Sequence, residues 1–122
     1  MEVATSFFHA CETGKGWAGC SEFCTPDSSF TVQAVDAIPS IQINYCKTVE
    51  QYTDLMKKLV EDFGEAATYD VDASAFDSAT GKAIFCCTFG GFTHYVYTIE
   101  VKDDKVVAMT KVWNDAYAAT KM

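Results

Sequence analysis

Apolar residues recur along this chain with two different periods, and the change between them divides it into an early helical part and a late strand-rich part. Val3, Ala4, Phe7, Phe8 and Cys11 fall at three- and four-residue spacings, which predicts an amphipathic helix from Glu2 to Cys11. Gly14-Lys15-Gly16 breaks it. A second short helix sets Trp17, Cys20, Phe23 and Cys24 on one side and stops at Thr25-Pro26-Asp27, because the residue before a proline avoids helical torsions. From Ser29 to Val35 the period becomes two, with Phe30, Val32 and Ala34 alternating with polar neighbours as in a half-buried strand. Asp36 to Lys47 reads as a loop holding a short strand at Ile41 to Tyr45. The clearest helix runs from Thr48 to Phe63: Thr48 and Gln51 have capping-box spacing, Tyr52, Leu55, Met56, Leu59 and Phe63 trace one stripe, and Gly64 closes it.

The remainder alternates. Thr68 to Phe76 turns Tyr69, Val71 and Ala73 inward, and strands follow at Lys82 to Phe89, Phe92 to Lys102 and Lys105 to Asp115, with a frayed helical turn at Ala116 to Met122. Gly90-Gly91 and Asp103-Asp104 are short enough to force antiparallel hairpins. With the turns centred on those pairs, Cys87 faces His94, Cys86 faces Tyr95, and Tyr95, Tyr97 and Ile99 face Val112, Thr110 and Ala108. One sheet face then carries Ile84, Cys86, Thr88, Tyr95, Tyr97, Ile99, Ala108, Thr110, Val112 and Asn114. The other carries Phe85, Cys87, Phe89, Phe92, His94, Val96, Thr98, Met109, Lys111 and Trp113. The helices suffice to cover one face. The more aromatic second face is therefore expected to be an interface with a second copy, centred on Phe85, Phe89, Met109 and Trp113.

Helices early and an antiparallel meander late make an α+β domain spanning 1–122. The formal charge of −8, with nine basic residues against seventeen acidic, argues against nucleic acid and anionic membranes as partners. Met1-Glu2-Val3-Ala4-Thr5 is not a basic leader and no apolar run is long enough to span a bilayer, so a cytoplasmic protein is expected. Cys11, Cys20, Cys24, Cys46, Cys86 and Cys87 have neither CxxC nor zinc-ligand spacing, and the only histidines are His9 and His94; reduced thiols and no metal or organic cofactor are expected.

The opening FFHACETGKGWAGCSEFCTPDSSF and the closing YVYTIEVKDDKVVAMTKVWND resemble the nuclear transport factor 2-like superfamily, and within it the SnoaL-like, polyketide cyclase-like group. The resemblance covers nearly the whole chain. It implies a cone, in which a curved antiparallel sheet wraps around the long helix behind two N-terminal helices, with a pocket at the open end and dimers packed sheet to sheet. It also implies acid–base chemistry beside a carbonyl, such as cyclisation, isomerisation or dehydration. Trp113-Asn114-Asp115 is similar to the family's aromatic-Asp step, but Asn114 holds a position where cyclases place an acid, and an amide is neither acid nor base at neutral pH.

A site inside such a cone is bounded by Cys86, Tyr95, Tyr97, Thr110 and Asn114 on the sheet and by the apolar wall Phe8, Trp17, Phe30, Tyr52 and Met56, a setting that suits a small apolar ligand. Tyr95 or Tyr97 is the expected hydrogen-bond donor to a carbonyl oxygen, and Asp36 or Asp115 the expected proton acceptor near the mouth. Cys87 opposite His94 invites a thiolate–imidazolium pair, against which stands simple packing of His94 on Trp113. Asp36 also suits a turn, His9 a solvated surface, and the tyrosines plain core packing. Two functions follow: a cofactor-independent enzyme on an apolar substrate, or a noncatalytic homodimeric binding or assembly module. An ionisable group on the cone floor would favour the first.

Overall fold

The computed structural model describes residues 1–34, 42–91 and 93–113. Helices α1 (Glu2–Glu12) and α2 (Gly16–Cys20) lead through a 3-10 turn at Ser21–Phe23 into strand β1 (Cys24–Ala34). A second 3-10 turn at Gln42–Tyr45 stands where a short strand was expected, and helix α3 (Val49–Phe63) follows. The meander is β2 (Tyr69–Asp77), β3 (Lys82–Phe89), β4 (Thr93–Lys102) and β5 (Lys105–Trp113). The five strands form one curved sheet in the order β1-β5-β4-β3-β2. The class is α+β as the periodicities predict, but the sheet is mixed, because β1 runs parallel to β5 while the other pairs are antiparallel.

Local chemistry explains the elements. Thr48 accepts from the Gln51 backbone N–H while the Gln51 side chain accepts from the Thr48 backbone, so both signals of the capping box are realised, and Gly64 ends α3 at φ 57°. Val49, Tyr52, Thr53 and Met56 of α3 are buried, Leu55 and Leu59 partly so, and Phe63 at the frayed end is exposed. β1 begins earlier than expected and tolerates Pro26 because it is an edge strand with an irregularity between Cys24 and Ser29. At the other edge β2 is exposed nearly throughout; Val71 is open rather than inward, and a register shift lies between Val71 and Ala73.

Two one-residue displacements reset the faces. The first hairpin closes with Phe89 opposite Thr93, so its loop has three residues rather than two, and Cys87 pairs with Tyr95 while His94 pairs with Thr88. The second hairpin turns on Asp103 and Asp104, both at positive φ as a two-residue primed turn requires, but a register shift between Glu100 and Val101 then brings Ile99 opposite Met109, Tyr97 opposite Lys111 and Tyr95 opposite Trp113. Because side chains alternate with period two, each displacement exchanges the faces of a neighbouring strand while β4 keeps its own. Phe85, Met109 and Trp113 are therefore core residues and Phe89 packs partly against the core, not on an outer interface. The inner face carries Phe85, Cys87, Tyr95, Tyr97, Ile99, Met109, Lys111 and Trp113 under α1 and α3.

Candidate functional site

The inner face is built of rings. Phe8 of α1 stacks on Phe85 at 4.5 Å and meets Tyr97 edge-on, and Phe30 of β1 stacks on Tyr52 of α3 at 4.3 Å. Within these rings lies a charged pair. Glu12, the last residue of α1, is 1% exposed, and its carboxylate accepts from the hydroxyl of Tyr97 at 2.6 Å and from that of Tyr95. The Tyr52 and Tyr97 hydroxyls are hydrogen-bonded to each other, and Lys111 Nζ donates to Tyr52 Oη at 3.2 Å. That ammonium lies 4.7 Å from the ring centre of Tyr95, 5.1 Å from Trp113, 5.5 Å from Tyr52 and 5.6 Å from Tyr97. Taking an ammonium out of water costs several kcal/mol, and an aromatic surround of this kind with a nearby carboxylate is what offsets it.

Burial pushes the Glu12 carboxyl above its usual range, while the Lys111 charge and the two tyrosine hydroxyls pull it back down. Burial, and then the Glu12 charge, drives Tyr52, Tyr95 and Tyr97 far above the ordinary phenol value, so these hydroxyls act as donors and not as bases. Among the described residues, the buried Trp113 Nε1–H and Ser28 Oγ find no hydrogen-bond partner.

Of the residues expected to form a site, Tyr95, Tyr97, Phe8, Phe30, Tyr52 and Met56 come together here, with Trp17 partly buried at the margin. Cys86 and Thr110 do not: the reset register turns them to the outer face. Asp36, Asn114 and Asp115 lie outside the described residues, as do Phe92 and the helical turn expected at 116–122. Sequence reasoning passed over Glu12 and Lys111. Both carried a signal, for Glu12 continues the apolar row Ala4–Phe8, one helical turn apart each time, and Lys111 sits between Met109 and Trp113 on one strand face. A charge on an apolar stripe is the informative exception.

No protein-family model matches the chain, and no curated protein sequence matches it. Solved structures do. A protein of unknown function with a cystatin-like fold from Methylobium petroleophilum superposes with a TM-score of 0.69 at 13% identity, covering 92% of this chain and 73% of its own. An NTF2-like protein of unknown function from Cytophaga hutchinsonii gives 0.63 at 10% identity over 93% of this chain and 88% of its own. A loop-truncation variant of IdmH gives 0.67 at 11% identity over 98% and 95%. This chain has the NTF2-like fold.

The NTF2-like sheet has a second, outer face with its own constellation. Thr88 Oγ1 donates to Asp72 at 2.8 Å and is 3.1 Å from His94 Nδ1. Asp72 and His94 border an open depression of ≈ 350 Å³ with Cys86, Cys87, Tyr95, Val96, Val112 and Trp113. The Cys87–His94 pair is not formed, since Cys87 points inward, where burial pushes its thiol up to about 12; Cys20 and Cys24 reach about 12 for the same reason. Five of the six cysteines are buried, which suits small apolar packing rather than nucleophilic chemistry. His9 Nδ1 meets the Tyr69 hydroxyl at 2.7 Å on the exposed side of α1. Among the described residues no cluster suits a metal ion, and no helix is long and apolar enough to cross a membrane.

Proposed function

We propose that this NTF2-like chain is a SnoaL-like acid–base protein that needs no cofactor and moves a proton on a small apolar compound, as in cyclisation, isomerisation or dehydration. What carries the reading is Glu12, an ionisable group on the floor of the inner face, held by two tyrosine hydroxyls next to a buried ammonium. A carboxylate raised by burial is a stronger proton acceptor near neutral pH, and un-ionisable tyrosines are suited to stabilise charge on oxygen. The test is hydrogen–deuterium exchange beside the carbonyl of 2-tetralone, followed by NMR. The protein should accelerate exchange over buffer, and Glu12→Gln should remove about 100-fold of that acceleration. No acceleration by folded protein defeats the reading.

A noncatalytic binding module is favoured by one observation: Tyr52 and Tyr97 are fully buried, so the chain's own side chains fill much of the floor. Binding of 2-tetralone without exchange would select it. We further propose a homodimer through the true outer face, where Ile84 and Val112 are 40% and 43% exposed beside Cys86, Val96, Thr98 and Thr110. None of these six is charged, so two copies of a chain of charge −8 meet there with the least repulsion.

A further inference from the structure

We propose that Lys111 is the group this site turns toward its ligand, and that it condenses with an apolar aldehyde or ketone to form an imine while Trp113 receives the carbonyl oxygen. The inference rests on the acid–base reading and gives it a substrate class. Glu12, 1% exposed with both oxygens accepting from tyrosines, exchanges its proton with a ligand through the neighbouring hydroxyls and amine rather than by direct contact. Tyr52 and Tyr97 are at 0%. Lys111 and Trp113, at 7% and 9%, are the cluster members nearest to solvent, and they are alternate residues on one face of β5. The Trp113 Nε1–H is an independent pointer, since it finds no acceptor among the described residues and a buried donor is costly unless something occupies it. Its ring centre is 5.1 Å from Lys111 Nζ, which sets the amine and the indole against the same wall of rings.

The hydrogen bonds supply the proton path. Tyr97 donates to Glu12, so its oxygen is left to accept from Tyr52, whose own oxygen accepts from Lys111. Every donor in this row points from the amine toward the carboxylate. A proton shifted along it leaves a neutral Lys111 and a protonated Glu12. The Nζ lone pair then attacks the carbonyl carbon, the C=O π pair moves onto the oxygen beneath Trp113, and a proton from nitrogen completes the carbinolamine. The proton held on Glu12 returns by the same hydroxyls, and the oxygen departs as water. In sum an ammonium and a ketone give a protonated imine and water, with no oxidant, metal or further reactant.

The experiment incubates the native protein with 2-tetralone and sodium cyanoborohydride and maps the resulting secondary amines by peptide mass spectrometry. Lys111 is expected to be labelled before the exposed Lys57, Lys82 and Lys102, without any variant having to fold. Trp113→Phe, which keeps the ring and removes the N–H, and Tyr52→Phe, which cuts the row, should each slow labelling of Lys111 on the order of 100-fold and leave the exposed lysines unchanged. Labelling of exposed lysines with Lys111 untouched, or labelling of Lys111 indifferent to both variants, overturns the proposal. Exchange beside the carbonyl without labelling of Lys111 overturns the imine alone and keeps the acid–base reading; labelling without exchange does the reverse, and neither result means both are wrong.

Discussion

Glu12 breaks two rules at once: it is an acid at the carboxyl end of a helix, where the backbone dipole already presents negative charge, and it is buried. Its cost should appear as a pH dependence. Because folding raises its pKa above the ordinary value of 4.5, the folded chain binds more protons than the unfolded one as pH rises past that value, so stability falls with rising pH until the folded group has itself ionised. Denaturant melts of wild type and Glu12→Gln between pH 4 and 8 should show that decline in the wild type and its loss in the variant, about 1.4 kcal/mol for each tenfold gain in the carboxylate's proton affinity on folding. Parallel profiles would mean that Glu12 titrates as it does in solution. Trp113 is a residue whose role the face assignment decides. As a core ring its replacement by Ala should cost about 3–5 kcal/mol of folding stability in chemical denaturation, rather than loosening an association between copies.

At the scale of elements, α1 and α3 were legible because their signals are local, whereas the second helix ends at Cys20 and strand β1 runs through the Thr25-Pro26-Asp27 expected to stop it. The Thr48–Gln51 box and Gly64 bound α3 where the sequence said they would, and Thr48→Ala should lower stability by about 1 kcal/mol in the same melts. Strand faces were less legible, because parity depends on single residues that composition does not mark. Gly90-Gly91 looks the same whether the loop closes at two residues or three, and nothing in Val106-Val107 announces the register shift near Glu100. The expected grouping on one inner face is observed where it rested on helix periodicity or on β4, as with Phe8, Tyr52, Met56, Tyr95 and Tyr97, all of them buried in the core. It failed on β3 and β5, as with Cys86 and Thr110. Glu12 and Lys111 were hidden differently, since pairing a charge at a helix end with one on the last strand requires the tertiary fold.

For the whole molecule, the outer face is what remains to be covered. Val112→Lys sets one positive charge per copy, close together across a two-fold contact, and should convert the proposed dimer to monomer at micromolar concentration in light scattering, with the thermal midpoint nearly unchanged. A wild-type protein that is monomeric under those conditions would end that proposal. The free edge at β2 bears on how far such association runs. Asp70 and Asp72 and the register shift after Val71 break the regular row of backbone donors and acceptors that an incoming strand would need. Face-to-face contact uses itself up when two copies meet, and the β2 edge offers no way to add a third. Concentrated solutions should therefore hold discrete pairs that stay clear on standing, and not the growing fibrils that an open, flat strand would seed.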